Sequence, residues 1–157
     1  MGKEKIYLTK KGLEKIKKEY QKLLSQRKEL LSTQSPQVLH SEDLDSEYLV
    51  FLQELEILEG RIKEYERILK NYELITPPPK EKQKEIHLGA KVLVEVGGQE
   101  DEFEIVDSIE ADPTQGKISF KSPIGSALLG KKEGDEVLIS SPVKRIYKIK
   151  KVRYFLD

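Results

Sequence analysis

Residues 48–72 read YLVFLQELEILEGRIKEYERILKNY, and the spacing of their apolar side chains decides the fold of the first half of the chain. Apolar residues recur at alternating intervals of three and four positions, at Tyr48, Phe51, Leu55, Leu58, Ile62, Tyr65, Leu69 and Tyr72. A heptad seam sustained over about three and a half repeats is typical of a helix that packs lengthwise against another helix.

An earlier segment supplies the partner helix. Thr9 is a suitable N-cap, because its hydroxyl can accept a hydrogen bond from a backbone N–H of the first turn. The same three-four spacing then follows at Leu13, Ile16, Tyr20, Leu23, Arg27 and Leu30, and the aliphatic stem of Arg27 can cover the seam. We expect a first helix of about 30 residues, roughly 45 Å long, with a kink or fraying near Pro36. Two seams cannot fill the core of an ordinary bundle, so they predict an antiparallel coiled-coil hairpin over residues 1–76.

Composition agrees with long exposed helices and excludes several classes of protein. Of the 157 residues, 37% are hydrophobic and 36% charged, which is poor in core formers and rich in charge. Lys and Arg total 28, as do Asp and Glu, so the net charge predicts no nucleic-acid or membrane partner. The absence of cysteine excludes disulfides and thiolate metal sites. No apolar run approaches the roughly 18 residues of a membrane span, and no apolar segment follows the charged N-terminus, which predicts a cytoplasmic location.

The sequence pattern of the second half of the chain predicts a separate small β-rich domain. Three prolines in Thr76–Lys80 cannot continue a helix, and we expect a stiff linker over residues 77–83. Residues 84–157 then contain short apolar runs bounded by glycines. They predict five strands, at residues 90–96, 102–106, 117–120, 136–139 and 144–152, with a short helix within residues 122–130. In the last strand Ile146, Ile149 and Val152 are the expected inward side chains, with a bulge. The fold class is therefore α+β with two domains, the second a small antiparallel β-sheet domain.

The predicted tip of the hairpin, about residues 38–47, is strongly acidic. Glu42, Asp43, Asp45 and Glu47 lie within six residues, and no Lys or Arg occurs between Lys28 and Arg61. One interpretation is a solvated turn in which Asp43 or Asp45 caps the second helix. The other is a metal-directed tip, because Mg²⁺ takes one or two protein carboxylates together with waters and phosphate oxygens.

No self-contained enzyme site is evident in the sequence. His40 and His87 are the only histidines, and neither has the spacing of a metal ligand or of a base beside a nucleophile. Without cysteine or a usable histidine, a catalytic triad is hard to build. We therefore predict that the chain is not an enzyme by itself and that any chemistry comes from the carboxylates of the tip.

Three segments resemble the bacterial Gre transcript-cleavage factors, and the likeness extends over the whole chain. Residues 8–16, LTKKGLEKI, match the opening L-T-x-x-G-x-x-K-L of that family, and residues 59–62, EGRI, match a segment of its second helix. The longest and most specific match is SPIGSALLGKKEGDEV, residues 122–137. The resemblance implies a coiled-coil hairpin followed by an FKBP-like domain.

The resemblance also implies partners and a mechanism. The C-terminal domain would dock at the secondary channel of bacterial RNA polymerase, and we assign docking to residues of the longest match: Ser122, Pro123, Ile124, Gly125, Leu128, Leu129 and Gly130. The coil would enter the channel, where tip acids would share an Mg²⁺ with the polymerase, which cuts backtracked RNA. The factor would act as a monomer, with no cofactor of its own, and would meet the RNA 3′ end and the DNA only through the polymerase.

The tip departs from the D-x-x-E pattern of the family. Its first acid corresponds to Asp43, but the second position is Ser46, and the stretch before Glu47 is about two residues shorter. Asp43 and Asp45 are the metal-binding candidates, and Glu47 and Glu42 can substitute as assisting acids. An alternative function is a Gre-like regulator that occupies the channel and inhibits synthesis. A third hypothesis, of another class, is a coiled-coil adaptor or holdase unrelated to polymerase.

Overall fold

The computed structural model describes residues 5–33, 46–140 and 142–154, which fall into two compact units. One unit is Leu13–Tyr72. The other combines Lys5–Gly12 with the chain from Glu73 onward. We call them the hairpin unit and the sheet unit. The domain limits predicted from sequence, residues 1–76, 77–83 and 84–157, stay a prediction.

Two long helices and seven strands account for most of the described chain, with one short helix and three 3-10 turns. In chain order the helices and strands are β1 Ile6–Leu8, α1 Lys10–Thr33, α2 Ser46–Lys70, β2 Tyr72–Leu74, β3 Ala90–Val96, β4 Gln99–Val106, β5 Lys117–Ser119, α3 Pro123–Leu128, β6 Glu136–Ile139 and β7 Arg145–Tyr154. The 3-10 turns are Lys80–Lys82, Ser108–Glu110 and Pro113–Gln115. The predicted class, a helical hairpin followed by a small β domain, is confirmed.

The two long helices run antiparallel. The Tyr20 hydroxyl donates to Glu66 Oε1 at 3.1 Å, and further along α1 the Arg27 guanidinium lies 3.3 Å from Glu59 Oε2. Partner numbers fall on α2 as they rise on α1, as an antiparallel pair requires. Helices of 24 and 25 residues span about 36 Å each.

The predicted seam forms the interior of the hairpin, except at its last position. The apolar residues of the seam are buried or half-buried, and the most buried of them are Leu13, Ile16, Leu23, Leu30, Phe51 and Ile62. Ile68, which was not a predicted seam position, is also buried, whereas its predicted neighbour Leu69 is half-buried. Tyr72 is not helical, because α2 ends at Lys70 and the chain enters β2. The Asn71 N–H donates to the Ile68 carbonyl at 3.1 Å, which closes the last turn. The predicted continuation of α1 beyond Thr33, with Pro36, lies outside the described residues.

The start of α1 follows the predicted capping chemistry. The Gly12 N–H donates to Thr9 Oγ1 at 3.0 Å, so Thr9 is the N-cap. This turn belongs to the sheet unit together with β1.

A five-stranded sheet with the order β5-β4-β3-β7-β6 forms the sheet unit, and β1 and β2 form a separate two-stranded sheet. All pairs of the large sheet are antiparallel except β4 with β5, which is parallel. The expectation of a purely antiparallel sheet therefore fails at this edge, because residues 107–116 make two 3-10 turns and return β5 in the direction of β4. The β3–β4 hairpin turns at Gly97 and Gly98 with φ of +58° and +80°, as a tight type I′ turn requires.

The core lies between one face of the sheet and α3. Alternate residues of β3, β6 and β7 point inward with Leu128 of α3, and the cluster consists of Ile86, Ala90, Val92, Val94, Ile105, Leu128, Val137, Ile139, Tyr147, Ile149 and Val152. The predicted inward positions Ile149 and Val152 are confirmed, but that of Ile146 is wrong, since its side chain is 58% exposed. The predicted bulge explains this difference: Lys150 is the extra residue between Ile149 and Lys151, so alternation is interrupted and Tyr147, not Ile146, shares the inner face.

Candidate functional site

The described part of the hairpin's distal end is acidic. Glu47 lies in the first turn of α2, where the partial positive charge of the helix N-terminus favours a carboxylate. Glu54 and Glu56 are exposed further along the helix, and Glu47 and Glu54 border Val50, which is 53% exposed. Of the predicted tip residues, Glu42, Asp43 and Asp45 lie outside the described residues. Their role stays a prediction.

Donor chemistry at this end suits a hard cation, since oxygen ligands from carboxylates are what Mg²⁺ prefers. Within residues 5–33, 46–140 and 142–154, no group of three or more His, Asp or Glu side chains is arranged to hold a metal. The metal-binding role predicted from the sequence for the acidic tip segment stays a prediction.

Hydrogen bonds that cross the seam hold the hairpin together nearer its base. The Tyr65 hydroxyl donates to Glu19, and the Tyr20 hydroxyl donates to Glu66, so each helix contributes one tyrosine and one carboxylate. The Glu19 hydrogen bond, then burial, raises the pKa of Tyr65. Burial, then the hydrogen bond to Glu66, raises the pKa of Tyr20. From the sequence, both tyrosines were predicted only as apolar seam positions.

The residues predicted to dock with polymerase lie on and around α3. Ser122 caps this helix: its Oγ accepts from the Gly125 N–H at 3.1 Å and donates to the Ser119 carbonyl at 2.6 Å. Leu128 is fully buried, and a Cβ on Gly125 would lie 2.0 Å from the Ser119 carbonyl oxygen. Buried Gly125 and Leu128 can therefore act on a partner only by holding the local fold, and half-buried Ser122 holds it through its two hydrogen bonds. Pro123, Leu129 and Gly130 are exposed and Ile124 is half-buried, which leaves them as the possible contact surface.

An open cleft of about 620 Å³ lies beside this motif in the sheet unit. Its apolar lining includes Leu129, Phe120 and Leu88, and the three prolines 77–79 form another part of the lining. The proline segment thus belongs to the sheet unit, and Pro79 leads into the 3-10 turn Lys80–Lys82. A cleft of this size with one charged carboxylate, Glu73, in its lining can accept an apolar side chain or helix end.

Two carboxylates that were not predicted as functional from the sequence hold residues 7–9 against the rest of the sheet unit. Asp107, only 6% exposed, accepts from the Tyr7 N–H at 2.9 Å and from the Ser108 N–H at 2.6 Å. Glu110 accepts from the Thr9 N–H at 2.9 Å and the Thr9 hydroxyl at 2.6 Å. The signal available in the sequence was a glycine in the first turn of a helix, Gly12, whose missing Cβ leaves room for the Glu110 carboxylate.

No described helix combines the length and the apolar composition that a membrane span needs.

Comparison with known proteins gives a consistent family assignment. The profile of the family described as "Transcription elongation factor, GreA/GreB, C-term" matches residues 80–154, which include α3 and the five-stranded sheet. The "Transcription elongation factor GreA" of Thermomicrobium roseum is 34% identical over 144 residues, covering 90% of this chain and 92% of that protein. The protein of the same name from Alkalilimnicola ehrlichii is 36% identical over 155 residues, covering 96% of this chain and 98% of the relative.

Relatives of this identity and coverage define the family: the chain belongs to the GreA/GreB family of transcription elongation factors. Among solved structures, the GreA factor homolog 1 (Gfh1) protein of Thermus thermophilus is 28% identical, with 96% of this chain and 99% of that chain covered and a TM-score of 0.43.

Proposed function

We propose that this elongation factor binds bacterial RNA polymerase, inserts its helical hairpin into the secondary channel and stimulates cleavage of backtracked RNA by the polymerase active site. The observation that carries the proposal is the charge of a narrow two-helix rod. Its two helices are antiparallel, and the distal part of α2 carries Glu47, Glu54 and Glu56. Such a rod can bring carboxylates to a confined site.

Docking is assigned to the exposed part of the α3 motif. Pro123, Leu129 and Gly130 are accessible, and Leu129 also lines the apolar cleft. Ser122, Gly125 and Leu128 support this surface from below, and half-buried Ile124 borders it. We expect the polymerase to contribute an apolar element that enters the cleft, because burial of apolar area supplies most of the affinity in such contacts.

The tip acts through its carboxylates. Asp43 with Asp45 would hold an Mg²⁺ shared with the polymerase, and Glu47 and Glu42 would assist them. When bound, that ion supplies a polarised water and stabilises the leaving oxygen. Asp43 and its neighbours orient the site and add negative charge near the cation, and the bonds of the RNA are cut by the polymerase. The protein is in this account a monomeric cytoplasmic accessory factor, not an enzyme, and it meets RNA and DNA only through the polymerase.

The test is RNA cleavage in a stalled, backtracked elongation complex with labelled RNA and millimolar Mg²⁺. The wild-type protein is expected to shorten the RNA, and Asp43→Asn to lower stimulated cleavage by at least about tenfold while polymerase binding is retained. Glu54→Gln is the matched control, because it removes one negative charge from the exposed face of α2 behind the tip. Equal cleavage by wild type and Asp43→Asn would remove Asp43 from the mechanism.

A second candidate function is inhibition of synthesis from the same channel. It is favoured by Ser46 at the position of the second family acid and by the absence of Lys and Arg between Lys28 and Arg61 to face RNA. The same complex distinguishes the two functions. Slower nucleotide addition, worse at low Mg²⁺ and without RNA shortening, would identify an inhibitor. Failure to co-purify with core polymerase would support the adaptor hypothesis over both.

A further inference from the structure

Strand β6 forms an open edge of the five-stranded sheet. It pairs with β7 on one side, from Glu136 opposite Lys148 to Ile139 opposite Arg145. On its other side no strand of the described chain pairs with it. An open edge presents backbone N–H and C=O groups that a second extended chain can pair with.

An exposed apolar patch lies on this edge hairpin. Leu138 and Ile146 are opposite each other on the outer face and are 54% and 58% exposed, and Val143, in the connection between the strands, is 57% exposed. Among the described residues, these are the three most exposed large apolar side chains of the sheet unit. A single exposed aliphatic residue is ordinary, but three on one hairpin indicate an interaction surface.

The same hairpin carries an excess of positive charge. Residues 136–154 contain six basic residues, Lys144, Arg145, Lys148, Lys150, Lys151 and Arg153, against the single acid Glu136, although the whole chain is neutral. Lys150 is paired with Glu95 at 2.8 Å, and Lys148 lies between Glu95 and Glu136 in register. Lys144 and Arg145, beside the apolar patch, have no ion pair with a carboxylate in the part of the chain that the structure describes.

These features together select the partner. Single-stranded nucleic acid binds to cations interleaved with exposed aromatic rings, but the two tyrosines of β7 point inward, and Tyr147 is only 8% exposed. A second copy would bring an equally basic β6–β7 hairpin, with six Lys or Arg against one Glu, so two surfaces of like net charge would meet, which is unfavourable. We propose that the β6 edge binds an extended acidic segment of a partner protein. The segment adds a strand beside β6, lays apolar side chains on Leu138, Val143 and Ile146, and places carboxylates near Lys144 and Arg145.

This surface contains none of the residues assigned to polymerase docking, so its test is independent of the proposed function. The experiment uses the full isotope-labelled chain and the probe peptide acetyl-Glu-Val-Glu-Val-Glu-Val-Glu-amide, followed by NMR. Saturable shifts are expected at the backbone amides of Glu136–Ile139 and at Ile146. The peptide in which every Glu is replaced by Lys is expected to leave these signals unchanged.

Variants distinguish the contribution of the two cations to peptide binding from that of the apolar patch. Lys144→Glu with Arg145→Glu is expected to weaken peptide binding roughly tenfold, since two exposed cations that face the peptide's carboxylates become anions. The matched control is Lys82→Glu with Lys117→Glu, which reverses two charges elsewhere in the sheet unit and is expected to bind like wild type. Leu138→Ser with Ile146→Ser, both on the outer face, is expected to abolish the shifts while the core signals stay in place.

Three results would overturn the proposal. The first is no shift at millimolar acidic peptide. The second is equal binding of the lysine peptide. The third is that a single-stranded oligonucleotide, and not the acidic peptide, causes saturable shifts at the same amides. The β6–β7 hairpin would then be a nucleic-acid-binding surface.

Discussion

Gly125 lies in helix α3 and Gly60 in helix α2. Other atoms occupy the place of a side chain at Gly125, but not at Gly60. A Cβ on Gly125 would be 2.0 Å from the Ser119 carbonyl oxygen, whereas a Cβ on Gly60 would meet nothing within 4 Å. We predict that Gly125→Ala destabilises the sheet unit by about 2 kcal/mol or more, because the backbone of α3 must move. Gly60→Ala should stabilise the hairpin by up to about 1 kcal/mol. Urea unfolding measures both changes, and equal effects would contradict the packing described.

Gly12 offers a test in which the sign of an effect reverses. A Cβ there would lie 2.3 Å from Glu110 Oε1 and would displace the carboxylate that accepts from Thr9. Loss of these hydrogen bonds should outweigh the helix preference of alanine, so we predict that Gly12→Ala destabilises the protein by about 1 kcal/mol. In a Glu110→Ala background the same change should stabilise it by up to about 1 kcal/mol. A double-mutant cycle in urea measures the reversal, and additive effects would contradict the role given to Glu110.

At the scale of elements, the two crossed tyrosine–carboxylate pairs predict a dependence of hairpin stability on alkaline pH. Folding raises the pKa of Tyr20 and of Tyr65 above the ordinary value of 10.0, so the neutral hydroxyls favour the folded state. Their contribution is complete below pH 10 and is lost as the pH rises through the raised values. Deprotonation would leave each tyrosinate facing a carboxylate.

The measurement is helicity followed by circular dichroism together with tyrosinate absorbance. Helicity of the wild-type protein should fall over the pH range in which Tyr20 and Tyr65 ionise. The variant carrying Tyr20→Phe and Tyr65→Phe should lose this transition. The matched control is Tyr72→Phe, in β2. An unchanged alkaline transition in the double variant would contradict the prediction.

Elements also show where reasoning from sequence succeeds. The seam of α2 was predictable because each apolar position is fixed by helical periodicity, a local property. The inward position of Ile146 was predicted wrongly, because the register of β7 depends on the Lys150 bulge, whose place is set by pairing with β3. The strand β5 was predicted but its parallel direction was not, since that direction depends on two 3-10 turns of the connecting chain.

At the scale of the whole molecule, contacts between distant parts of the chain were beyond prediction. Asp107 and Glu110 bind residues about a hundred positions earlier, and nothing in their neighbouring sequence identifies those partners. The docking motif was predictable as a motif, but only the structure separates buried Leu128 from exposed Leu129. The predicted tip acids Glu42, Asp43 and Asp45 rest on sequence and family resemblance alone.

Entry of the hairpin into the polymerase can be tested because the chain has no cysteine, so one introduced cysteine is a unique label. We predict that a photo-crosslinker at Glu47→Cys, at the start of α2, reaches the RNA 3′ end or the polymerase active site. The same label at Lys63→Cys, on the proximal part of α2, should not. Equal crosslinking of RNA from both positions would contradict insertion tip first.

The most direct test of the central claim is a Mg²⁺ titration of RNA cleavage in a stalled, backtracked complex, with and without the protein. If tip carboxylates complete the binding site of a shared ion, the protein lowers the Mg²⁺ concentration needed for half-maximal cleavage. With Asp43→Asn, this concentration should return toward the value for polymerase alone. If the protein leaves the Mg²⁺ dependence unchanged, or slows synthesis without any cleavage, the claim that the tip supplies metal ligands is contradicted.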